Sequence, residues 1–136
     1  MIDQRKFERE LIKHKRAINY ACIKFKEKPK EGDNIYPVTK VIQQSKKLAL
    51  VAADFKCMKC GAEERLSWHH LVLKKAKFFM PFDRYLSARH YWNNILVLCW
   101  PCHYEYHDKD RNIIHSKETD ISKRYIEKLK KEFCKK

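Results

Sequence analysis

Apolar residues near the start of the chain fall at Phe7, Leu11, Ile18, Cys22 and Phe25, steps that trace one stripe along a helix. No Gly or Pro interrupts the stretch from Ile2 to about Lys28, and its other face is rich in Lys and Arg. One long amphipathic helix is predicted there. Pro29 to Tyr36, with Gly32-Asp33-Asn34 inside it, reads as a turn. A second helix is predicted from Pro37 to about Ala53, with Val41, Ile42, Leu48, Ala49 and Ala52 on its apolar side. Arg65 to Leu73 then alternates with the period of a strand and places Leu66, Trp68, His70 and Val72 on one side. Lys74 to Trp92 is predicted to be a long irregular segment, rich in Lys, Arg, Phe and Tyr and broken by Pro81. Asn94 to Leu98 is a short apolar strand, and from Cys102 to about Lys109 a helix opened by Pro101 is expected. Asp120 to Lys135 reads as a basic amphipathic helix with Ile121, Tyr125, Leu129 and Phe133 at four-residue steps. Helices flanking a short two-stranded centre make an α+β chain.

A length of 136 residues bounds this pattern to one domain or one with short appendages. Divided by pattern, residues 1–53 form an N-terminal helical region, 54–112 the centre, and 113–136 the C-terminal basic helix. Charge changes the picture more than length does. Lys plus Arg number 31 against 17 acidic residues, a net charge of +14, which points to a polyanionic partner and most simply to nucleic acid. With only two glycines, Gly32 and Gly61, no glycine-rich phosphate loop can be written. No apolar run is long enough to cross a membrane, so no membrane partner is expected. Nothing at Met1-Ile2-Asp3-Gln4-Arg5-Lys6 reads as a secretory leader, and an intracellular, cytoplasmic location is the expectation.

Six cysteines in such a chain do not read as a disulfide framework. Cys57 and Cys60 form one CxxC pair and Cys99 and Cys102 another, a spacing in which two turns present four thiolates to one tetrahedral ion. A structural Zn²⁺ is the cofactor this predicts. Cys22 and Cys134 stand alone and read as small apolar residues on helix faces. Trp68 and Trp100 are expected as core and cover for the zinc site.

The histidines carry the remaining chemistry. His69 and His70 are adjacent on the first predicted strand, so they point to opposite faces and take different roles. His103 and His107 are four apart on one face of the following helix, close enough to share a metal ion. His14, His90 and His115 are expected to be solvated. A zincin HExxH is absent, because Glu105 lies two residues after His103 and not one. The zinc deaminase pattern is absent too, because Leu71 follows His70.

At Trp68-His69-His70, then Asn94 through Cys99-Trp100-Pro101-Cys102-His103, then His107, the chain resembles the HNH (ββα-metal) endonucleases. It is similar in particular to the branch with CxxC ahead of the first strand and CxxCH at the start of the helix. The resemblance covers about residues 54 to 110 and leaves the flanking helices outside it. It implies a zinc-stapled ββα-metal core, with His70 as the general base that activates water and Asn94 orienting that base. His69 and His103 would hold a catalytic divalent metal (Mg²⁺, Mn²⁺, Ni²⁺ or Zn²⁺), and His107 matches a further ligand in the colicin-like branch. The step from His70 to Asn94 is longer than in compact relatives, and its Phe and basic residues suit substrate contact.

The resulting expectation is an enzyme, a metal-dependent HNH endonuclease that nicks or cuts DNA, with DNA ahead of RNA as partner. Lys74, Lys75, Lys77, Arg84, Arg89, Lys128 and Lys131 are the expected nucleic-acid contacts. A homodimer would be a simple route to paired nicks. The alternative is a non-catalytic zinc-stapled nucleic-acid-binding module, which has no need of a base beside a metal ligand.

Overall fold

The computed structural model describes residues 2–72, 74–107 and 121–134, and the side chains of residues 74, 75, 106 and 107 lie outside that description. Helix α1 spans Gln4–Lys24, and α2 spans Tyr36–Ala52. Strand β1 is Leu66–His70 and β2 is Ile95–Cys99. Between the strands lie a short 3₁₀ turn, Lys74–Phe78, then α3, Phe82–Arg89, and a second 3₁₀ turn, Trp92–Asn94. After β2 come α4, Trp100–His107, and α5, Lys123–Phe133. Five helices and one two-stranded antiparallel sheet make the described chain α+β. Among the described residues, no helix is long and apolar enough to cross a membrane.

Local chemistry sets the element ends. Asp3 caps α1 by accepting from the main-chain N–H groups of Arg5 and Lys6, and Ser122 caps α5 by accepting from Tyr125 N–H. Pro37 stands in the first turn of α2, where its missing N–H costs nothing. The far end of α2 closes with a Schellman arrangement. Asp54 N–H donates to Val51 O and Phe55 N–H to Leu50 O, while Asp54 and Phe55 take φ of 55° and 59°. Left-handed backbone at two non-glycine residues is strained, and it is held because Phe55 is buried in the same apolar cluster as Leu50.

Three expectations of the sequence change here. The stretch predicted to be irregular contains α3, which starts directly after Pro81 and carries Asp83 in its first turn, where the helix dipole favours an acid. A break at proline was in this case a helix start. Asn94 does not begin a strand; it ends a 3₁₀ turn, and pairing starts at Ile95. The terminal helices are also shorter than their apolar stripes suggested, α1 ending at Lys24.

The strands pair in a single register, Leu66 opposite Cys99, Ser67 opposite Leu98, and so on to His70 opposite Ile95. The main core contains Leu50 and Val51 of α2, Leu66 of β1, Val97 and Leu98 of β2, and Leu129 and Phe133 of α5. Residues from all three stretches of the chain therefore share one apolar interior. A smaller cluster joins Ile18 and Ala21 of α1 to Val41 of α2 and Leu86 of α3. Helix α2 packs on β2 and on α5, and α1 packs on α2 and α3; the cysteine turns and the histidine pair lie next to each other where the hairpin meets α4.

Candidate functional site

The first CxxC turn precedes β1 and the second runs from the last residue of β2 into α4, so the antiparallel register brings them together. In the first turn, Cys57 N–H donates to Ala62 O and Gly61 N–H to Cys57 O, with Gly61 at φ +81°, a conformation that favours glycine. Met58 N–H donates to Val97 O and fastens this turn to β2. Cys57, Cys60, Cys99 and Cys102 have their sulfur atoms within 4.8 Å of one another, with Cys60 Sγ and Cys99 Sγ 3.5 Å apart. Four sulfurs at ~2.3 Å from a tetrahedral Zn²⁺ would stand about 3.8 Å apart, so the four thiols fit a structural zinc. Burial opposes ionisation of Cys57, but donation from the backbone of Cys60, Cys99 and Lys59 and from the Cys60 thiol outweighs it, leaving Cys57 at about 6. Cys102 is pushed up, first by its hydrogen bond with the Cys99 thiol and then by burial. Thiols this close favour a shared cation over four protons.

At the middle of the hairpin a second set assembles. His69 on β1 and His103 on α4 are both buried, with Nδ1 of His69 3.3 Å from Nε2 of His103 and the rings edge to face. Ser67, two residues before His69 and on the same strand face, places its hydroxyl 2.9 Å from His103 Nδ1. The sequence reading missed Ser67, although its period-2 relation to His69 was visible. His107 lies at the end of α4, and its side chain falls outside the described residues.

His70 turns the other way, as alternation requires. Its ring meets His90 edge to face, with centroids 5.4 Å apart. His70 Nε2 and His90 Nδ1 are buried and have no hydrogen-bond partner among the described residues. Burial first, then the Arg89 charge and the charges of His90, Lys46 and His69, hold His70 down at about 3. Burial, Arg89, Lys46 and His14 hold His90 at about 4. Both rings are therefore neutral across the physiological range. Asn94 sits beside this group: its main-chain carbonyl accepts from Leu71 N–H, just after His70, and its side-chain amide donates to Ala88 O at 2.7 Å. The structure thus places Asn94 as a tie between the end of β1 and α3.

Two histidines expected to be solvated are buried. His90 is 8% exposed at the end of α3, and His14 is 0% exposed in α1. His14 accepts from Trp92 N–H through Nε2, bonds Gln44 Oε1 through Nδ1 and stacks on Tyr91. Packing of α1 against α2 and the Tyr91–Trp92 stretch supplies those partners, which lets a polar ring be buried at little cost. His115 lies outside the described residues.

The basic residues divide. Arg84, Lys128 and Lys131 are exposed, on α3 and α5. Arg89 is half-buried and donates through Nη1 to Val72 O at 2.6 Å, so part of its guanidinium holds α3 to the chain after β1. Lys77 lies over the Phe78 ring, next to Phe79, and these two aromatics are 74% and 86% exposed. The side chains of Lys74 and Lys75 fall outside the described residues. Of the lone cysteines, Cys22 is on α1, where its thiol meets Asp83 O, and Cys134 ends α5 in a bridge to Ile2. Trp68 lies against Tyr125 and donates to Lys46 O, and Trp100 is overlain by the Arg65 guanidinium.

No protein-family model, curated protein or solved structure matches this chain.

Proposed function

We propose that the chain is a metal-dependent endonuclease of the HNH type, hydrolysing DNA phosphodiester bonds beside a zinc-stapled ββα core. The observation that carries the reading is the 3.3 Å between His69 Nδ1 and His103 Nε2. Two nitrogens bound at 2.0–2.1 Å to one tetrahedral ion stand about 3.3 Å apart, so the pair has the spacing of two ligands of a single metal. The zinc knuckles support it by clamping β1 to the start of α4, the two elements that bring these rings together.

A divalent ion held by His69 and His103 would supply Lewis-acid stabilisation of charge on the scissile phosphate and leaving oxygen. His70, one residue along the strand and neutral at physiological pH, takes the proton from the attacking water through a ring nitrogen. Arg89 and Lys46, whose charges act on His70, help to attract the phosphate, and the arriving negative charge raises the basicity of that ring. Asn94 steadies the backbone after His70. The net charge of +14, with exposed Arg84, Lys128 and Lys131, suits a DNA backbone.

The test is nicking of supercoiled plasmid by the zinc-loaded chain with Mg²⁺, Mn²⁺ or Ni²⁺ and with EDTA. Metal-dependent conversion to open circles is expected; no cleavage with any of the three ions would sink the proposal. One observation favours a second reading, a zinc-stapled nucleic-acid-binding module without catalysis. The His70 ring is largely buried against His90 and held at about 3, a poor starting point for a base. Tight, salt-sensitive DNA binding without cleavage would select it.

A further inference from the structure

Ser67 is the second residue of β1, fully buried and directly opposite Leu98 in the hairpin register. Its hydroxyl oxygen has two polar neighbours, the Leu98 carbonyl at 2.9 Å and His103 Nδ1 at 2.9 Å. A carbonyl oxygen only accepts, and a hydroxyl has one proton to give. That proton goes to Leu98. Ser67 Oγ therefore offers His103 a lone pair, and Nδ1 of His103 carries the proton that fills it. In a neutral imidazole the other nitrogen, Nε2, is then bare. This is the atom that faces His69.

We infer that Ser67 is a positioning residue that sets the tautomer of His103, so that Nε2 is delivered as a metal-ligating lone pair. The inference rests on the metal-binding role proposed for His69 and His103. Without an acceptor at Nδ1, the proton of His103 can move to Nε2, where it would point at the cation and exclude it. The same hydroxyl also fixes the ring plane, because Ser67 is anchored through Leu98 to the neighbouring strand. Partners of this kind behind a metal-bound histidine are worth roughly 10- to 100-fold in metal affinity.

Zinc-loaded full chain is compared with Ser67→Ala and with Ser67→Thr, which keeps the hydroxyl; zinc content and circular dichroism check folding. Long-range ¹H–¹⁵N correlation spectra read the His103 tautomer before a second metal is added, and calorimetry with Ni²⁺ reads affinity. The wild type should carry its proton on Nδ1. Ser67→Ala should shift the proton wholly or partly to Nε2 and weaken Ni²⁺ binding by about 10- to 100-fold, while Ser67→Thr should stay near wild type. A wild-type His103 protonated on Nε2 overturns the inference without any variant. So does a folded Ser67→Ala that keeps both tautomer and affinity. If the wild type binds no Ni²⁺ beyond its zinc site, the metal reading fails and takes the ligand half of the inference with it. The tautomer spectra still decide whether Ser67 controls His103.

Discussion

Cys60 and Cys99 stand 39 residues apart in sequence and 3.5 Å apart at their sulfurs. That contact ties the turn before β1 to the last residue of β2, and Cys57 and Cys102 complete the group. Analysis of the purified chain should return about one tightly held zinc, retained in mild EDTA. Cys99→Ser should unfold the hairpin, because a structural zinc supplies much of the stability of so small a unit. Protein that is folded and free of zinc would rule this out.

The opposed placement of His69 and His70 separates two kinds of loss. His70→Ala should leave zinc content and DNA affinity nearly unchanged and lower cleavage by about 10² to 10⁴, the usual worth of a positioned general base. His103→Ala should also abolish cleavage, but partial recovery at raised Mn²⁺ or Ni²⁺ is expected, since in the proposed site a ligand is lost and not a proton acceptor. Recovery of His70→Ala by added metal would reverse the assignment.

Affinity for duplex DNA should fall steeply with salt, as neutralised phosphates release counterions. Lys128 and Lys131 are exposed on α5, whose other face is buried through Ile126, Leu129 and Phe133. Reversing both charges should leave folding intact and weaken binding to all sequences alike. The magnitude of the log–log salt slope should fall by about 0.9 for each phosphate that is no longer neutralised. An unchanged slope in the double variant would remove α5 from the DNA-binding surface.

His14 gives a pH dependence with a defined sign. Burial lowers its pKa and the Gln44 contact restores only part of the loss. The unfolded chain therefore takes up a proton near pH 6.5 that the folded chain refuses, so the stability contribution is full above that pH and is lost as pH falls through it. Protonation would also set an N–H against the Trp92 N–H that Nε2 now accepts. Between pH 7.5 and 5.5, the stability of His14→Gln should decline less than that of the wild type, the difference in slope reaching at most about 1.4 kcal/mol per pH unit. His70 and the cysteine site remain in both proteins and cancel in the comparison, and His90 loses only the smallest of the influences that hold it down. Parallel stability curves would show that His14 is not the titrating group.

Spacing along the chain was enough to foresee what depends on neighbours in sequence. The two CxxC pairs announced a four-thiolate group because each pair is held by one local turn, and the two turns needed only a hairpin to meet. Alternation along β1 separated His69 from His70 for the same reason: strand geometry is local. The burial of His14 was half legible, since Leu11, His14, Ile18 and Ala21 continue one helical stripe. A polar ring on an apolar stripe is buried only if partners await it. Gln44 and Trp92 are supplied by the packing of α1 against α2 and the second 3₁₀ turn, which no local pattern encodes. The helix after Pro81 depended likewise on Leu86 finding Ile18, Ala21 and Val41. Tertiary structure alone decided that His69 meets His103, that Ser67 stands behind it, and that His70 lies against His90. These are contacts across 34, 36 and 20 residues; hairpin register and the paired CxxC turns place β1 beside α4, and the Asn94 amide and the packing of Leu86 seat α3.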